Sequence, residues 1–232
     1  MVEMGELREG IRPGDAEGLA REVMETEGLS LEGVGMNLAC LSGVIPTAEK
    51  MEAFEELAEG LERSLGTRFA MVGGGNSANI PMLSEPRRGR TDNLRVGEGI
   101  LLGLETVERT PIPGTHQDAF VLEAQLIEVQ LKPTVPDGRV SQNAFGETPE
   151  FEDLGEVRRG ILALGRQDVI VGDLAPVDPD VEILASSSDH VVVRLPEGDG
   201  RGVGDVLGFT MRYGGLVHAF TSPYVGVEYR NG

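Results

Sequence analysis

The sequence predicts an α/β protein in which a parallel sheet or partial β/α barrel is followed by a mostly antiparallel β domain. Residues 1–112 alternate short apolar runs with helix-like stretches, which is the pattern of repeated β–loop–α units. Residues 113–232 hold short β-rich runs separated by Gly, Pro and Asp, and no stretch there reads as a helix. Pro111, Pro113 and Gly114 lie where the pattern changes, as is typical of a linker.

Two helices are predicted in the first part. Residues 15–28 form one of them, with Asp15 as a candidate N-cap and Gly28 at its end. The other follows Pro46 and is capped by Thr47. Its apolar residues recur three or four positions apart, which predicts one buried face. These residues are Met51, Phe54, Leu57, Leu61 and Leu65.

Short strands are predicted between and after these helices. In the first part they are the runs 1–4, 31–39 and 67–72, with a further strand end at the start of 93–104. The glycines 73–75 are predicted to form a turn, and a short helix is predicted from about Ala78 to Leu83. In the second part the β-rich runs are 119–132, 158–165, 168–174, 190–196, 205–213 and 216–220.

The composition argues against several classes of protein. The chain has 39 Asp and Glu against 20 Lys and Arg, a net charge of −19, so nucleic acid is not an expected partner. Cys40 is the only cysteine, which excludes an internal disulfide and a Cys-rich metal site. No apolar run reaches the ~18 residues of a membrane-spanning helix, and the first residues lack the features of a signal peptide. We therefore expect a cytoplasmic protein with no metal and no membrane partner.

The stretch AMVGGGNSANIPML, residues 70–83, raises the question of what it holds. A strand, glycines, a hydroxyl and a helix start together present backbone N–H groups to an anion such as phosphate. The same pattern fits a plain turn between a strand and a helix. Both interpretations stay open on these residues alone.

Six short motifs follow one another along the chain: GELREG (5–10), GVGMNLAC (33–40), GGGNSAN (73–79), LRVGEGILLG (94–103), SSSDH (186–190) and TSPYV (221–225). In this order they resemble the alanine racemase-like, fold-type III pyridoxal-phosphate enzymes, in the branch of alanine/ornithine (amino-acid) racemases. The resemblance implies pyridoxal 5′-phosphate as cofactor, an amino acid as substrate, and racemisation by removal and return of the Cα proton. It also implies that residues 1–112 are the C-terminal, cofactor-binding part of a β/α barrel, that residues 113–232 are the β domain, and that a homodimer shares the active site.

By this resemblance, one group of residues binds the cofactor phosphate. Asn76 and Ser77 lie where the family places a serine hydroxyl on the phosphate. Gly97 and Glu98 would offer backbone N–H groups to it, and glycine permits close approach. The glycine-rich stretch would then hold the cofactor.

Two arginines and a tyrosine are also implied to contact the cofactor. Arg95 matches the arginine that the family points at the pyridine nitrogen, where a permanent guanidinium keeps the nitrogen unprotonated. Arg8 matches an arginine that hydrogen-bonds the phenolic oxygen. Tyr224 corresponds to a late tyrosine that reaches the phosphate, with Tyr213 and Tyr229 as nearby alternatives.

The resemblance assigns substrate binding and proton transfer to the β domain. Ser188 and Asp189 fall where the partner subunit contributes to binding the substrate carboxylate, although a plain turn is the alternative. Arg166 falls where alanine racemases carry a tyrosine base, and with a pKa above ~12 a guanidinium cannot take that role. It would bind a carboxylate or be structural. His190 is the first candidate for the second base, because histidine titrates near neutral pH. Weaker candidates are Asp168 and Cys40.

The sequence also departs from the family. Asn37 sits where alanine racemase has a histidine stacked on the cofactor ring. The Schiff-base lysine of the family lies on the first barrel strand, and the two lysines here, Lys50 and Lys132, do not match it. We therefore expect this chain to correspond to the family from the fourth barrel strand onward, without the N-terminal third. Alone, it is expected to bind the cofactor weakly and without racemisation.

Three other interpretations stay open. A non-catalytic pyridoxal-phosphate-binding protein is one, although the single-domain relatives of this fold lack a β domain. An inactive truncated remnant is another, because an open half-barrel leaves sheet edges unpaired. A decarboxylase of the same fold type is the third, and its motifs are not evident in this sequence.

Overall fold

The computed structural model describes residues 1–84 and 89–230. The chain divides into two compact units, Met1–Gln117 and Asp118–Gly232. Each unit has a hydrophobic core of its own and is described by itself.

The first unit contains a parallel sheet and helices. Its strands are β1 (Gly33–Gly35), β2 (Met71–Asn76) and β3 (Asn93–Arg95), parallel and in that spatial order. Its helices are α1 (Ala16–Glu25), α2 (Ala48–Leu65) and α3 (Glu98–Leu101), and 3-10 turns cover Pro13–Asp15 and Ser77–Ser84. Val2, in the predicted first strand, pairs with Ile11 in an isolated parallel bridge. Parallel strands alternating with helices confirm the predicted α/β class.

Helix α2 has the predicted cap and the predicted buried face. The Thr47 side chain accepts a hydrogen bond from the backbone N–H of Lys50 at 3.4 Å. The helix ends at Gly66, whose φ of 66° is the left-handed conformation that glycine adopts readily. Its buried residues are Met51, Phe54, Ala58 and Leu61. Leu57 and Leu65 are partly buried and pack against the same core.

Helix α1 has the predicted N-cap position but not the capping bond. Asp15 occupies that position, and its side chain makes no cap hydrogen bond. The helix ends at Glu25, before Gly28, which has a φ of +83° in the following turn.

The glycines 73–75 lie inside β2, so the prediction that they form a turn is wrong. Glycine is required at Gly74 and Gly75 for different structural reasons. A Cβ at Gly74 would overlap the Thr91 side chain, so Gly74 is required for packing. Gly75 has a φ of +135°, which L side chains rarely adopt, and a Cβ there would overlap the Asn79 amide. The strand can therefore run directly into the 3-10 turn that begins at Ser77.

The second unit is built on a six-stranded antiparallel sheet. The strands are β4 (Leu122–Pro133), β5 (Glu156–Leu162), β6 (Leu174–Pro176), β7 (Glu182–Ser186), β8 (Val191–Arg194) and β9 (Val206–Met211). Their order is β6-β9-β4-β5-β8-β7, and every pair is antiparallel. Leu122, Ala124 and Leu126 alternate inward on β4 and belong to the core. The predicted β domain is thus confirmed.

Two predictions fail in this unit. The sequence predicts no helix after residue 112 and a strand at 216–220, but Tyr213–Thr221 form helix α4. The run 168–174 is not a strand either, because a 3-10 turn covers Val171–Asp173 and β6 begins only at Leu174.

Within residues 1–84 and 89–230, no helix combines the length and the apolar character needed to cross a lipid bilayer.

Candidate functional site

Four polar residues lie at the carboxyl ends of the parallel strands, and we call them the strand-end cluster: Asn37, Asn76, Ser77 and Arg95. Asn76 and Arg95 are the last residues of β2 and β3 and are partners in the strand register. Asn37 follows β1 by two residues. In parallel α/β sheets ligands bind at this edge, since the loops after the strands meet there. The topology thus brings four predicted cofactor residues to one edge.

Hydrogen bonds tie the strand-end cluster together. Arg95 Nη2 donates to the backbone oxygen of Met36 at 2.6 Å and to Asn37 Oδ1 at 3.3 Å. Asn76 Nδ2 donates to the same Asn37 oxygen at 3.0 Å and to the backbone oxygen of Leu38 at 2.6 Å. Asn37, which follows β1, is therefore held by side chains at the ends of both β2 and β3.

Two glycines make room for the Arg95 guanidinium. A Cβ at Gly73 would lie 3.2 Å from Arg95 Nη1, and a Cβ at Gly35 would lie 3.6 Å from it. Gly35 and Gly73 are register partners in β1 and β2, so the guanidinium lies beside bare backbone. The Arg95 residue remains exposed, which keeps this cation accessible to a ligand.

Ser77 brings two of the sequence motifs into contact. Its hydroxyl is buried and accepts the backbone N–H of Gly99 at 3.1 Å, from the first turn of α3. Asn76 Oδ1 accepts the backbone N–H of Ala78 at 2.8 Å, which fixes the turn that carries Ser77. Gly97, the N-cap residue of α3, is exposed and has open space where a Cβ would lie. The glycine-rich stretch and RVGEG are therefore joined by a hydrogen bond, and we call these two segments together the cradle.

The Glu98 carboxylate is already paired within the first unit. The carboxylate forms an ion pair with Arg109. Its side chain is only 10% exposed, so the ion pair holds it in place. The backbone N–H is what the sequence predicts to serve the phosphate.

Arg8 lies within electrostatic reach of the strand-end cluster. Its guanidinium donates to a Glu9 carboxylate oxygen at 2.6 Å and to Cys40 Sγ at 2.6 Å. The hydrogen bond from Arg8 is the main cause that lowers the pKa of Glu9, and the charge of Arg95 lowers it to a smaller extent. Glu9 thus interacts electrostatically with both predicted cofactor arginines.

Glu6 is a residue of this region that sequence reasoning missed. Its side chain is buried, with 1% exposure, and accepts the backbone N–H groups of Cys40 at 2.7 Å, Ser42 at 2.8 Å and Val44 at 3.2 Å, and also that of Leu41. Burial raises the pKa of Glu6, but these hydrogen bonds together outweigh it and lower the pKa below its usual value. The one available signal is a carboxylate between two glycines in GELREG, beside a candidate arginine.

Arg166, Asp189, His190 and Tyr224 belong to the second unit. Arg166 already binds a carboxylate there: Nη1 and Nη2 each donate at 2.9 Å to one oxygen of Glu147. Its Nε donates to Ser186 Oγ at 2.9 Å, and its guanidinium lies 4.1 Å from the centroid of the Phe145 ring. Sequence reasoning missed Glu147, which lies 19 positions away in the long β4–β5 connection.

The Asp189 carboxylate is exposed and is contacted by neighbouring side chains of its own loop, residues 186–190. Ser187 and Ser188 hydroxyls donate to its Oδ1 at 3.1 Å and 3.2 Å, and His190 Nδ1 lies 3.2 Å from the same oxygen. The hydrogen bond from Ser187 and the nearby His190 lower the pKa of Asp189. Asp189 therefore stays ionised near neutral pH, and His190 is the neighbouring group able to carry a proton.

The remaining candidates in this unit differ in accessibility. Tyr224 is 75% exposed, and its backbone N–H donates to Ser222 Oγ at 3.2 Å. Asp168 is buried, accepting Ser222 Oγ at 3.1 Å and the backbone N–H of Gly165 at 3.0 Å. Asp168 thus joins two loops, which is a structural role.

Both lysines have partners within the fold. Lys50 Nζ donates to the backbone oxygen of Met4 at 3.0 Å, and Lys132 Nζ donates to Glu128 Oε1 at 2.5 Å. Neither lies in the strand-end cluster.

The Arg166–Glu147 pair gives a testable pH dependence. Hydrogen bonds from Arg166 and then from Asn143 lower the pKa of Glu147 from 4.5 to about 2. Because the folded pKa is the lower one, the pair stabilises the fold above the unfolded pKa, and this contribution is lost as pH falls toward the folded pKa. We expect an NMR carboxyl titration to place the Glu147 midpoint near 2, and Arg166→Gln to return it toward 4.5. Arg230→Gln, at a surface pair with Glu123, is the control and should leave Glu147 unchanged.

The residues of the strand-end cluster fit pyridoxal phosphate. Asn37 Nδ2 is buried and has no hydrogen-bond partner among the described residues, which is the kind of group a bound ligand or water satisfies. Arg95 supplies a permanent cation, and Gly97 leaves open space. A cation, an orphaned donor and an open backbone suit an anionic heteroaromatic ligand.

Comparison with known proteins adds independent information. Residues 1–104 match the family described as Alanine racemase, N-terminal domain. The chain is 38% identical over 232 residues to the Ornithine racemase of Acetoanaerobium sticklandii, covering 98% of this chain and 65% of the relative. It is 38% identical over 230 residues to the Lysine racemase of Thermotoga maritima, covering 99% of this chain and 64% of the relative.

The two alignments also show how much of each relative the chain matches. The chain spans just under two thirds of the length of these two relatives. Among solved structures, the alanine racemase of Clostridium difficile 630 has the same fold, with a TM-score of 0.64, 17% identity, and coverage of 89% of this chain and 54% of that chain. Residues 1–104 therefore belong to the alanine racemase N-terminal domain family, and the chain as a whole is similar to amino-acid racemases.

Proposed function

We propose that this chain binds pyridoxal 5′-phosphate at the strand-end cluster and contributes that site to an amino-acid racemase. The observation that carries the proposal is the Ser77–Gly99 hydrogen bond at 3.1 Å. It joins the two loops that the family uses for the cofactor phosphate, next to the Arg95 guanidinium. In this proposal residues 1–112 hold the cofactor and residues 113–232 form the β domain.

Each residue has a distinct part in this proposal. When bound, pyridoxal phosphate supplies electron delocalisation that stabilises a carbanion at Cα of the amino acid. Arg95, which is always charged, holds the ring nitrogen unprotonated. An unprotonated ring nitrogen would make the group a weaker electron sink, which would favour return of the proton to Cα, and thus racemisation, over transamination. Ser77 and the backbone N–H groups at 97–98 hold the phosphate, and Arg8 the phenolic oxygen.

Substrate handling falls to the second unit, in a homodimer whose subunits share the site. Ser188 and Asp189 orient the substrate carboxylate through backbone N–H groups, and His190 moves a proton on one face of Cα. Arg166 is occupied by Glu147 and acts on the loop rather than as a base. Tyr224 is 75% exposed, which leaves its side chain available to a ligand.

The substrate we propose is an amino acid with a cationic side chain. The support is the 38% identity to proteins named Ornithine racemase and Lysine racemase. Because the chain alone is not expected to racemise, binding is the measurement: isothermal titration calorimetry compares ornithine, lysine and alanine with the 232-residue chain loaded with pyridoxal phosphate. Tighter binding of alanine than of both basic amino acids would contradict the proposal.

Cofactor binding tests the site itself. We expect Arg95→Gln and Ser77→Ala each to raise the Kd of pyridoxal phosphate about tenfold, a loss typical of one charge-assisted or buried hydrogen bond. Equilibrium dialysis of the 232-residue chain against pyridoxal phosphate measures this.

Arg230→Gln is the matched control for these two variants, because it removes an arginine from a surface ion pair in the second unit. It should bind the cofactor as the wild type does. Equal weakening in all three variants would overturn the assignment. Racemisation of any amino acid by the 232-residue chain alone would contradict the expectation that turnover is lost without a matching Schiff-base lysine.

A further inference from the structure

The buried carboxylate of Glu6 joins two segments that carry predicted cofactor residues. Its Oε1 accepts the backbone N–H groups of Cys40 at 2.7 Å and Ser42 at 2.8 Å, and its Oε2 accepts that of Val44 at 3.2 Å. In return, the Ser42 hydroxyl donates to the backbone oxygen of Glu6 at 2.6 Å. Hydrogen bonds thus join the segment between Val2 and Ile11, which contains Glu6, to the loop that follows β1.

Backbone strain lies on both sides of this junction. Leu7 and Ala39 have φ values of 58° and 49°, and only one other non-glycine residue among those described, Arg109, has a positive φ. Such conformations cost free energy and persist only where surrounding contacts hold them. Glu6 precedes Leu7 directly and binds the residues that follow Ala39. Its hydrogen bonds therefore help to hold both strained residues. The bond from Ala39 N–H to the Val44 oxygen at 2.9 Å and the bond from Arg8 N–H to Glu3 at 3.2 Å also contribute.

The strained residues set the direction of two side chains. Arg8 follows Leu7, and its Nη1 donates to Cys40 Sγ at 2.6 Å, so it reaches across the junction. Asn37 lies two residues before Ala39 and is the centre of the strand-end cluster. Any loosening between the two segments moves Arg8 relative to Asn37.

We propose that Glu6 is a positioning residue for the cofactor site, acting through Arg8 and touching no part of the ligand. The inference rests on the proposed function, because it assumes that Arg8 and the strand-end cluster bind pyridoxal phosphate. A carboxylate is suited to this place because its two oxygens together accept several N–H donors. Glutamine keeps the shape, loses one acceptor oxygen and loses the charge.

Glu105 provides a matched control. It is also buried, at 4% exposure, and accepts the backbone N–H groups of Val107 at 2.7 Å, Glu108 at 2.9 Å and Thr110 at 2.8 Å. It therefore has the same chemistry as Glu6 in a loop that carries no predicted cofactor residue. A purely structural role for Glu6 predicts that Glu6→Gln and Glu105→Gln behave alike.

The experiment measures the Kd and the absorbance spectrum of pyridoxal phosphate bound to the 232-residue chain, together with stability in urea. We expect both variants to unfold at lower urea, whereas only Glu6→Gln raises the Kd, by about tenfold, and shifts the absorbance of the phenolate. In an Arg8→Gln background the effect of Glu6→Gln on Kd should largely vanish, because the two act through one contact. Ser42→Ala, which removes only the hydroxyl bond to Glu6, should act in the same direction with a smaller effect.

The outcomes separate this inference from the proposed function. If the wild type does not bind pyridoxal phosphate, both are overturned. If Arg95→Gln weakens binding while Glu6→Gln and Glu105→Gln leave the Kd equally unchanged, the proposed function stands and the role of Glu6 is wrong. A Glu6 effect of full size in the Arg8→Gln background would also overturn it, because the action through Arg8 would be absent.

Discussion

In the Phe54→Ala variant we expect the free energy of unfolding of the first unit to fall by about 3–5 kcal/mol. Phe54 lies on the buried face of α2 and is fully buried. It belongs to the same core cluster as Met36, Leu38 and Val72, so its removal leaves a cavity between helix and sheet. That magnitude is a large part of the stability of a typical domain.

The same substitution should reach the strand-end cluster. Met36 and Leu38 flank Asn37 and present their backbone oxygens to Arg95 and Asn76. A cavity beneath them frees these oxygens to shift, so pyridoxal phosphate should bind more weakly even at temperatures where the variant is folded.

Urea unfolding followed by circular dichroism measures the stability change. The matched control is Phe151→Ala, because Phe151 is 46% exposed in the β4–β5 connection, and we expect a change within about 0.5 kcal/mol. Similar losses in both variants would show that Phe54 is not the core residue described here.

Local patterns in the sequence predict helix α2 well and helix α4 badly. In α2 the apolar spacing, the Thr47 cap and the Gly66 terminus all favour the same element. In α4, Gly214 and Gly215 lie in the first turn, and the rest is mostly apolar on every side, so neither a cap nor a polar face marks a helix. A Cβ at Gly215 would lie 3.0 Å from the Asp173 side chain. The helix therefore depends on close tertiary packing that no local pattern records.

The residues of the strand-end cluster are predicted from their match to the family's motifs, and a simple rule of parallel sheets explains why they meet. Asn37, Asn76 and Arg95 each end or follow a strand, and such positions converge at one edge. Glu6 and Glu147 could not be predicted in this way. Their partners lie 34 to 38 and 19 positions away, so only the tertiary fold shows that these carboxylates are buried or paired.

The pairing of Arg166 changes how the second unit is understood. The Arg166 guanidinium donates to both carboxylate oxygens of Glu147 and lies over the Phe145 ring, so few of its donors remain for another ligand. These contacts hold the long β4–β5 connection beside the loop at 186–190. A substrate carboxylate would have to compete with Glu147 for this arginine. The sequence leaves carboxylate binding and a structural role open for Arg166, and its bonds to Glu147 are consistent with the structural one.

Gly75→Ala is expected to have the second largest effect, a loss of about 2–4 kcal/mol in the free energy of unfolding. Two costs combine at this position. The φ of +135° strains any L side chain, and a Cβ would overlap the amide of Asn79. Asn79 is buried, and its Oδ1 accepts the backbone N–H of Asn76 at 3.1 Å, so displacing it breaks the turn that presents Ser77.

Gly138→Ala separates these two costs. Gly138 has a similar φ of +122° but nothing lies within 4 Å of an added Cβ, so only the backbone strain remains. We expect this control to lose about 1 kcal/mol and to leave pyridoxal phosphate binding unchanged. Gly75→Ala should weaken that binding about tenfold, because Asn76 and Ser77 shift together. If Gly75→Ala and Gly138→Ala cost the same and bind the cofactor equally well, the Asn79 turn does not shape the cradle, and the phosphate must be held by the backbone at 97–98 alone.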